Sequence, residues 1–169
     1  MKTSPTPVVS DADVLIHMAK LRRLPLLRVL YEYVSISEYV RQEITSENDL
    51  GITEAIGAYL IVHPASPEKA AAVAAQHGIH IGEAHTKVLG ELLNAKLFLS
   101  NERKVRKAAI AEGFRVAGTI GVILRAAHLR TVTMSEALSL MELMRSEDFR
   151  IHPDLIQEAI NTLHDPFDP

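Results

Sequence analysis

The stretch VVSDADVLI, residues 8–16, decides how the chain is read. Val8-Val9 is a short apolar run of β-branched residues, the composition of a buried strand. It closes on Ser10-Asp11, and the pattern then changes period. Val14, Leu15, Met18 and Leu21 fall on one face at helical spacing. A strand that ends on an aspartate and passes directly into an amphipathic helix reads as the start of an α/β unit. In open α/β sheets, ligands bind at the carboxyl ends of the strands. Asp11 stands at such an end.

Working outward, Pro25 breaks the first helix, and residues 26–33 read as a second. Residues 34–36 alternate as a strand does, and Ser37 is a suitable N-cap for the helix carrying Val40 and Ile44. The polar, glycine-containing segment 45–53 is expected to be a loop or helix break. A third strand is expected over 58–62, closed by His63-Pro64. Pro67-Glu68 suits the first two positions of a helix, the alanine-rich run 69–76 continues it, and Gly78 stops it. Gly82-Glu83 opens another helix, reaching about Asn94. Residues 97–100 form a buried-strand run, 101–112 a helix ended by Gly113, and 114–117 a short strand. The turn Gly118-Thr119-Ile120-Gly121 leads into an apolar helix. Two amphipathic helices follow, near 134–145 and 153–163, and the tail DPFDP reads as loop. Strands alternating with helices predict an α/β fold with a mostly parallel central sheet covered on both faces. No repeat or interdomain linker is visible. Residues 1–169 are therefore read as one domain, with the helices from about 134 as an extension.

Composition narrows the classes. The chain has 169 residues, long enough to bury a sizeable core. Aromatics make up 5% and there is no Trp, so that core is built mainly from Leu, Ile, Val and Ala. The absence of cysteine excludes a disulfide scaffold, a thiolate zinc site and a cysteine nucleophile. It suits the cytoplasm, the expected location. No stretch reaches the ~18 apolar residues of a membrane span, and no signal peptide is visible, so no membrane partner is expected. The net charge of −3 argues against a nucleic-acid binder that relies on bulk positive charge. An acidic active site would itself push the total negative, so a nuclease stays compatible with it.

The acids worth following are those near strand ends. Asp11 follows the first strand and Asp13 lies two residues on. Glu43 is about two turns into the helix after the second strand. Glu83 starts the helix that leads to the Leu97 strand, and Asn101 and Glu102 follow that strand at once. Clustered carboxylates repel one another and tend to take up protons. A hard divalent cation, Mg2+ or Mn2+, resolves that repulsion with oxygen ligands and supports phosphodiester cleavage. The competing reading is structural. Acids at helix N-termini are favoured by the helix dipole. Taken singly, Glu83 and Glu102 read as helix-start residues and Glu43 as a solvated helix residue; Asp11, ending an apolar strand and followed by apolar residues, is expected to be partly buried, with an N-cap role competing for it and for Asp13. On spacing alone the structural reading leads.

Five stretches in order change that balance. VVSDADVLI (8–16) resembles the opening motif of PIN domains, with Asp11 as the first metal-binding aspartate. LRRLPLL (21–27) and VSISEYVRQEI (34–44) resemble the next two segments and put Glu43 at the second acidic position. IGEAHTKVLGELLNAKLFLSNERKVRKAA (81–109) resembles the third acidic region, with Glu83 in its Gly-Glu-Ala. GFRVAGTIGVILRA (113–126) is similar to the closing strand and Gly-Thr-x-Gly turn, where Thr119 would support the site. The combination is closest to a poorly characterised prokaryotic PIN subfamily similar to the VapC-like toxin nucleases. The resemblance implies a three-layer α/β/α sandwich and a metal-dependent endoribonuclease using Mg2+ or Mn2+. It implies an RNA substrate, a homodimer, and an antitoxin protein as partner if the chain is the toxin of a toxin–antitoxin pair. Asp11, Glu43, Glu83 and Glu102 would be the catalytic acids; Asp11, Glu83, Glu102 and Asn101 would face the metal, and Asp13 and Ser100 would support them. The chain departs from the family where an Asp usually follows the fourth strand: it reads Ser100-Asn101-Glu102. That departure leaves open a second function, a catalytically weak binding or regulatory module with the same fold.

Other features carry less. Arg103, Lys104, Arg106 and Lys107 form a basic cluster beside the acids, with Arg103, Arg106 and Lys107 on one helix surface. They would hold RNA phosphates, or simply form a solvated helix face. His77, His80 and His85 lack metal-ligand spacing and read as surface or packing residues. The apolar residues of the 122–124 and 138–144 helices read as core, with part of that surface a candidate for a partner segment.

Overall fold

β1 (Val8–Ser10) is buried along its whole length, as its apolar composition demands. In the computed structural model, which describes residues 5–165, it is the central strand of a five-stranded sheet. Residues 166–169 of the tail expected to be loop lie outside the described residues. The other strands are β2 (Val34–Ser37), β3 (Leu60–His63), β4 (Leu97–Leu99) and β5 (Arg115–Ala117). Their order is β3-β2-β1-β4-β5, and every pairing is parallel. Val9 is in register with Ser35 on one side and with Phe98 on the other. The mostly parallel sheet expected from sequence is thus parallel throughout its described strands.

Helices supply the crossovers that parallel strands require. α1 (Ala12–Lys20) and α2 (Leu26–Tyr31) join β1 to β2; α3 (Glu38–Thr45) and α4 (Leu50–Ala55) join β2 to β3. α5 (Pro67–His77) and α6 (Ile81–Leu92) carry the chain back past β1 to β4, and α7 (Arg103–Ala111) joins β4 to β5. The first two crossovers progress one way along the sheet and the last two the other way. Right-handed connections then place α1–α4 on one face and α5–α7 on the opposite face. The core on the second face agrees: Val9 and Phe98 cluster there with Ala70, Ala84, Leu89 and Val105. The fold is an α/β/α sandwich.

Local signals in the sequence account for most boundaries. Ser37 caps α3, accepting from the Val40 N–H at 3.1 Å. Gly78 ends α5 in the left-handed conformation that glycine adopts without cost, at φ 60°. The segment 45–53 differs from expectation, because α4 already starts at Leu50. Asp49 supplies the reason: its carboxylate accepts from the Ile52 N–H at 3.0 Å and caps the helix.

Contacts divide the chain into two compact units, one up to Thr119 and one from Ile120 onward. The sheet and α1–α7 belong to the first. The second holds α8 (Thr119–His128) from its second residue, α9 (Met134–Leu143), a short 3-10 turn (Glu147–Phe149) and α10 (Pro153–His164). α9 packs on α10, with Ala137, Leu140 and Met141 buried on one and Ile156, Ala159 and Ile160 on the other. A capping box between Thr133 and Glu136 starts α9. Among the described residues no helix is long and apolar enough to cross a membrane.

Phe98 is fully buried and meets Phe114 edge to face, with ring centroids 6.2 Å apart. Phe98→Ala should cost about 3–5 kcal/mol, the range for emptying an aromatic core site. Urea unfolding measures this, and a loss below about 1 kcal/mol would contradict the core described.

Candidate active site

The strand order creates one place where neighbouring strands send their chains apart. β1 and β4 are adjacent, yet the chain leaves them toward opposite faces, which opens a crevice at their carboxyl ends. Asp11 sits at one lip and Ser100, Asn101 and Glu102 at the other. The Asp11 N–H donates to the Leu99 carbonyl at 3.1 Å and continues the strand pairing into the site. α6 closes in from the side. The Thr86 hydroxyl donates to the Gly82 carbonyl at 3.1 Å and lies 3.4 Å from the Ser10 carbonyl, so the first turn of α6 is tied to the end of β1. That turn carries Glu83.

Each acid also has a local structural role. Asp11 is the N-cap of α1, accepting from the Val14 N–H at 3.5 Å, a long bond. Glu83 completes a capping box on α6, accepting from the His80 N–H at 2.8 Å. Glu102 caps α7, accepting from the Lys104 N–H at 3.5 Å, while its own N–H donates to Ser100 Oγ at 3.2 Å. Glu43 reaches across from α3 to the first turn of α6. A Cβ on residue 82 would lie 2.9 Å from Glu43 Oε2 and 3.1 Å from Oε1, so any larger residue there would push the Glu43 carboxylate aside. From sequence, Gly82 is legible only as a helix opener.

Electrostatics show that these acids share a neighbourhood. Asp11 is 3% exposed. Burial is the main cause that lifts its carboxyl from an ordinary 3.8 to about 7; a Ser100 side-chain hydrogen bond and the Val14 N–H oppose this, and the charges of Asp13 and Glu83 add to it. Burial likewise raises Glu43, with His80 opposing and Asp13 adding. Burial raises Glu83 too; the His80 N–H opposes, and Glu102 and Asp13 add. Asp13, exposed at the start of α1, is thus felt by Asp11, Glu43 and Glu83 alike.

Among the described residues, no three His, Cys, Asp or Glu side chains form a ready-made ligand cluster. The donor set nonetheless suits a hard divalent cation. Its acidic groups are all carboxylates, they raise one another's proton affinity, and a cation would reverse that effect. Mg2+ keeps several waters and needs only one or two carboxylates from the protein.

Asn101 has its polar atoms directed elsewhere. Its Oδ1 accepts from the Thr119 N–H at 2.8 Å, and its Nδ2 donates to Thr119 Oγ1 at 2.9 Å. Nδ2 also lies 3.1 Å from His17 Nδ1 on α1. His17 has no counterpart in the sequence reading; a histidine on the buried face of α1 carried no signal without knowledge of what lay opposite.

The remaining features are clear. Arg103, Lys104, Arg106 and Lys107 are exposed on α7, directly after the Glu102 cap. His85 stacks on Tyr39 at 4.9 Å, His80 caps α6, and His77 faces Glu112 at 3.7 Å, all packing or surface roles. Lys87 is buried and bonded to Glu91 at 2.8 Å and Glu112 at 2.6 Å.

The match to known proteins is unambiguous at the level of family. The model of the family DUF3368, a PIN domain, matches residues 7–165. This chain belongs to the PIN-domain family. Among solved structures it is similar to PAE2754 from Pyrobaculum aerophilum, with a TM-score of 0.54 and 13% identity over 73% of this chain and 96% of that one. At that identity the likeness speaks for the PIN fold alone. No curated protein matches significantly. Family membership points to a nuclease role, and PIN domains typically use divalent metals.

Asp11 holds its proton more tightly folded than unfolded. The folded PIN domain therefore carries a proton that the unfolded chain has released between 3.8 and about 7, and stability falls as pH rises through that window. The rise from 3.8 to about 7 bounds the effect at about 4 kcal/mol. In the presence of chelator, Asp11→Asn should flatten the fall in unfolding free energy between pH 4 and pH 8. An equally steep fall in both proteins would show that the Asp11 carboxyl is not strained.

Proposed function

We propose that this PIN domain is a metal-dependent endoribonuclease that hydrolyses RNA phosphodiesters. The carrying observation is Asp11, a carboxylate buried at the switch point of the sheet with its proton affinity raised by burial and by neighbouring acids. Such a group is costly to keep and is explained by a cation at work. Asp11, Glu83 and Glu102 would hold Mg2+ or Mn2+, with Glu43 completing the catalytic acids. Bound there, the ion would neutralise charge on the phosphate and make a water more acidic. Asp13 adds negative potential that favours the cation. Ser100 orients Asp11 through its hydroxyl, and Thr119 braces the loop after β4. Arg103, Arg106 and Lys107 would hold RNA phosphates one turn from the acids.

Wider parts of the reading rest on the family. A VapC-like toxin role, with an antitoxin partner and a homodimer, is supported by exposed apolar residues in the second unit: Leu129, Met134, Leu143 and Leu155. The unbroken family match from 7 to 165 supports treating the chain as one PIN-like domain with the helices after about 134 as its extension. The cysteine-free composition supports a cytoplasmic location.

The test is RNA cleavage with Mn2+ by the native chain and by Asp11→Asn. Losing a group that stabilises transition-state charge costs roughly a hundredfold or more, and that loss is expected. Equal cleavage by both proteins would sink the assignment.

A second reading has its own support. Asn101, standing where the family usually carries Asp, favours a binding or regulatory module that keeps the fold with weak catalysis. Calorimetric titration separates the two. Heat of Mn2+ binding that disappears in Asp11→Asn supports the nuclease, and no binding at millimolar Mn2+ supports the module.

A further inference from the structure

His17, Asn101 and Thr119 meet from three separate segments: α1, the loop after β4, and the first residue of α8. The Thr119 N–H fixes which amide atom of Asn101 is oxygen, because only Oδ1 can accept from it. The other amide atom is then a pure donor. Nδ2 lies 2.9 Å from Thr119 Oγ1 and 3.1 Å from His17 Nδ1. It donates to the ring when Nδ1 is the bare nitrogen, the tautomer this arrangement calls for. Thr119 Oγ1, 3.1 Å from the same nitrogen, closes the ring of contacts. Space is matched as closely as polarity. A Cβ on Gly118 would lie 2.5 Å from Asn101 Oδ1 and 3.3 Å from the Ser100 carbonyl, so a side chain there would push the amide from its place.

This arrangement spends every polar atom of the Asn101 side chain on protein partners. It also spans the loop that delivers Ser100 to Asp11 and Glu102 to the crevice. We infer that Asn101 is a positioning residue, not a metal ligand, and that His17 is its obligatory acceptor: the pair brackets the β4–α7 loop and so aims Ser100 and Glu102. The inference rests on the nuclease reading, since it assigns a role in the same site.

The bracket makes an unusual demand. A carboxylate at 101 would be a better ligand for a hard cation. It would be a worse bracket, because it offers no hydrogen to His17 Nδ1 or Thr119 Oγ1. Asn101→Asp therefore separates the two roles. The bracket predicts a 10–100-fold fall in kcat, the usual cost of losing an orienting partner, with Mn2+ binding no tighter and KM within about twofold. His17→Leu should lose kcat by a similar factor, and the double variant should lose no more than the larger single loss, because the two act as one unit. His17→Asn places an accepting oxygen near the position of Nδ1 and should recover activity to within about threefold of the native chain. A purely structural role would not give this recovery in kcat at unchanged KM.

Unfolding midpoints confirm that each variant is folded, and if Asn101→Asp does not fold, the two His17 variants carry the test. Tighter Mn2+ binding with retained activity in Asn101→Asp would make Asn101 a ligand and overturn the inference. So would His17→Leu with kcat within twofold of native, or losses that multiply in the double variant. A native chain that cleaves no RNA would instead end the nuclease reading, and the role built on it.

Discussion

Parallel pairing of β1 with β4 joins the two halves of the sheet, and the rest of the structure depends on it. From β1 the chain steps outward through β2 to β3, and from β4 it steps outward the other way to β5. Right-handed crossovers turn that divergence into two helical layers on opposite faces. At the carboxyl ends of β1 and β4 the chain leaves toward opposite faces. The backbone bond from Asp11 to Leu99 is the last rung of the pairing, and it sets two loops side by side that lie about ninety residues apart in the chain. Without that rung, Asp11 and Ser100 have no reason to meet.

The crevice so formed holds charge at a cost. A carboxylate as buried as Asp11 loses hydration, and Asp13 and Glu83 add repulsion to that loss. The protein offsets part of this with neutral donors: the Ser100 hydroxyl and the Val14 N–H. The rest stays as strain, which is common where a fold is arranged around a ligand. His17, Asn101 and Thr119 satisfy one another without a formal charge, while Lys87 spends its charge on Glu91 and Glu112. The exposed cations Arg103, Lys104, Arg106 and Lys107 stand on α7, directly after Glu102.

Double duty is a recurring feature of these acids. Asp11, Glu83 and Glu102 all cap helices, so the readings of cap and ligand do not exclude one another. A helix N-terminus attracts the carboxylate and holds it in place before any cation arrives. Capping bonds orient the side chain, and the crevice decides what else it faces. Glu43 differs, because no cap holds it. Its carboxylate lies in the space left free by Gly82.

Much of the fold was legible in the sequence because its causes are local. Period changes at Asp11 and Ser37, the Pro67 start and Gly78 stop of α5, and the apolar run at 97–99 act within a few residues of where they stand. α4 was missed although its Asp49 cap is local, because a polar stretch with one glycine reads equally well as loop. The acids were legible one by one as strand-end residues, and their common edge followed from the alternation of strands and helices together with the PIN resemblance. What only the tertiary structure decided is who faces whom. That Glu43 rests on Gly82, that Asp11 is raised by Asp13 and Glu83, and that Asn101 turns to His17 and Thr119 are consequences of strand order and helix placement. The physical reason is range. Backbone periodicity and capping act over a few residues, whereas desolvation and side-chain hydrogen bonding depend on neighbours that the chain brings together only once the sheet has formed.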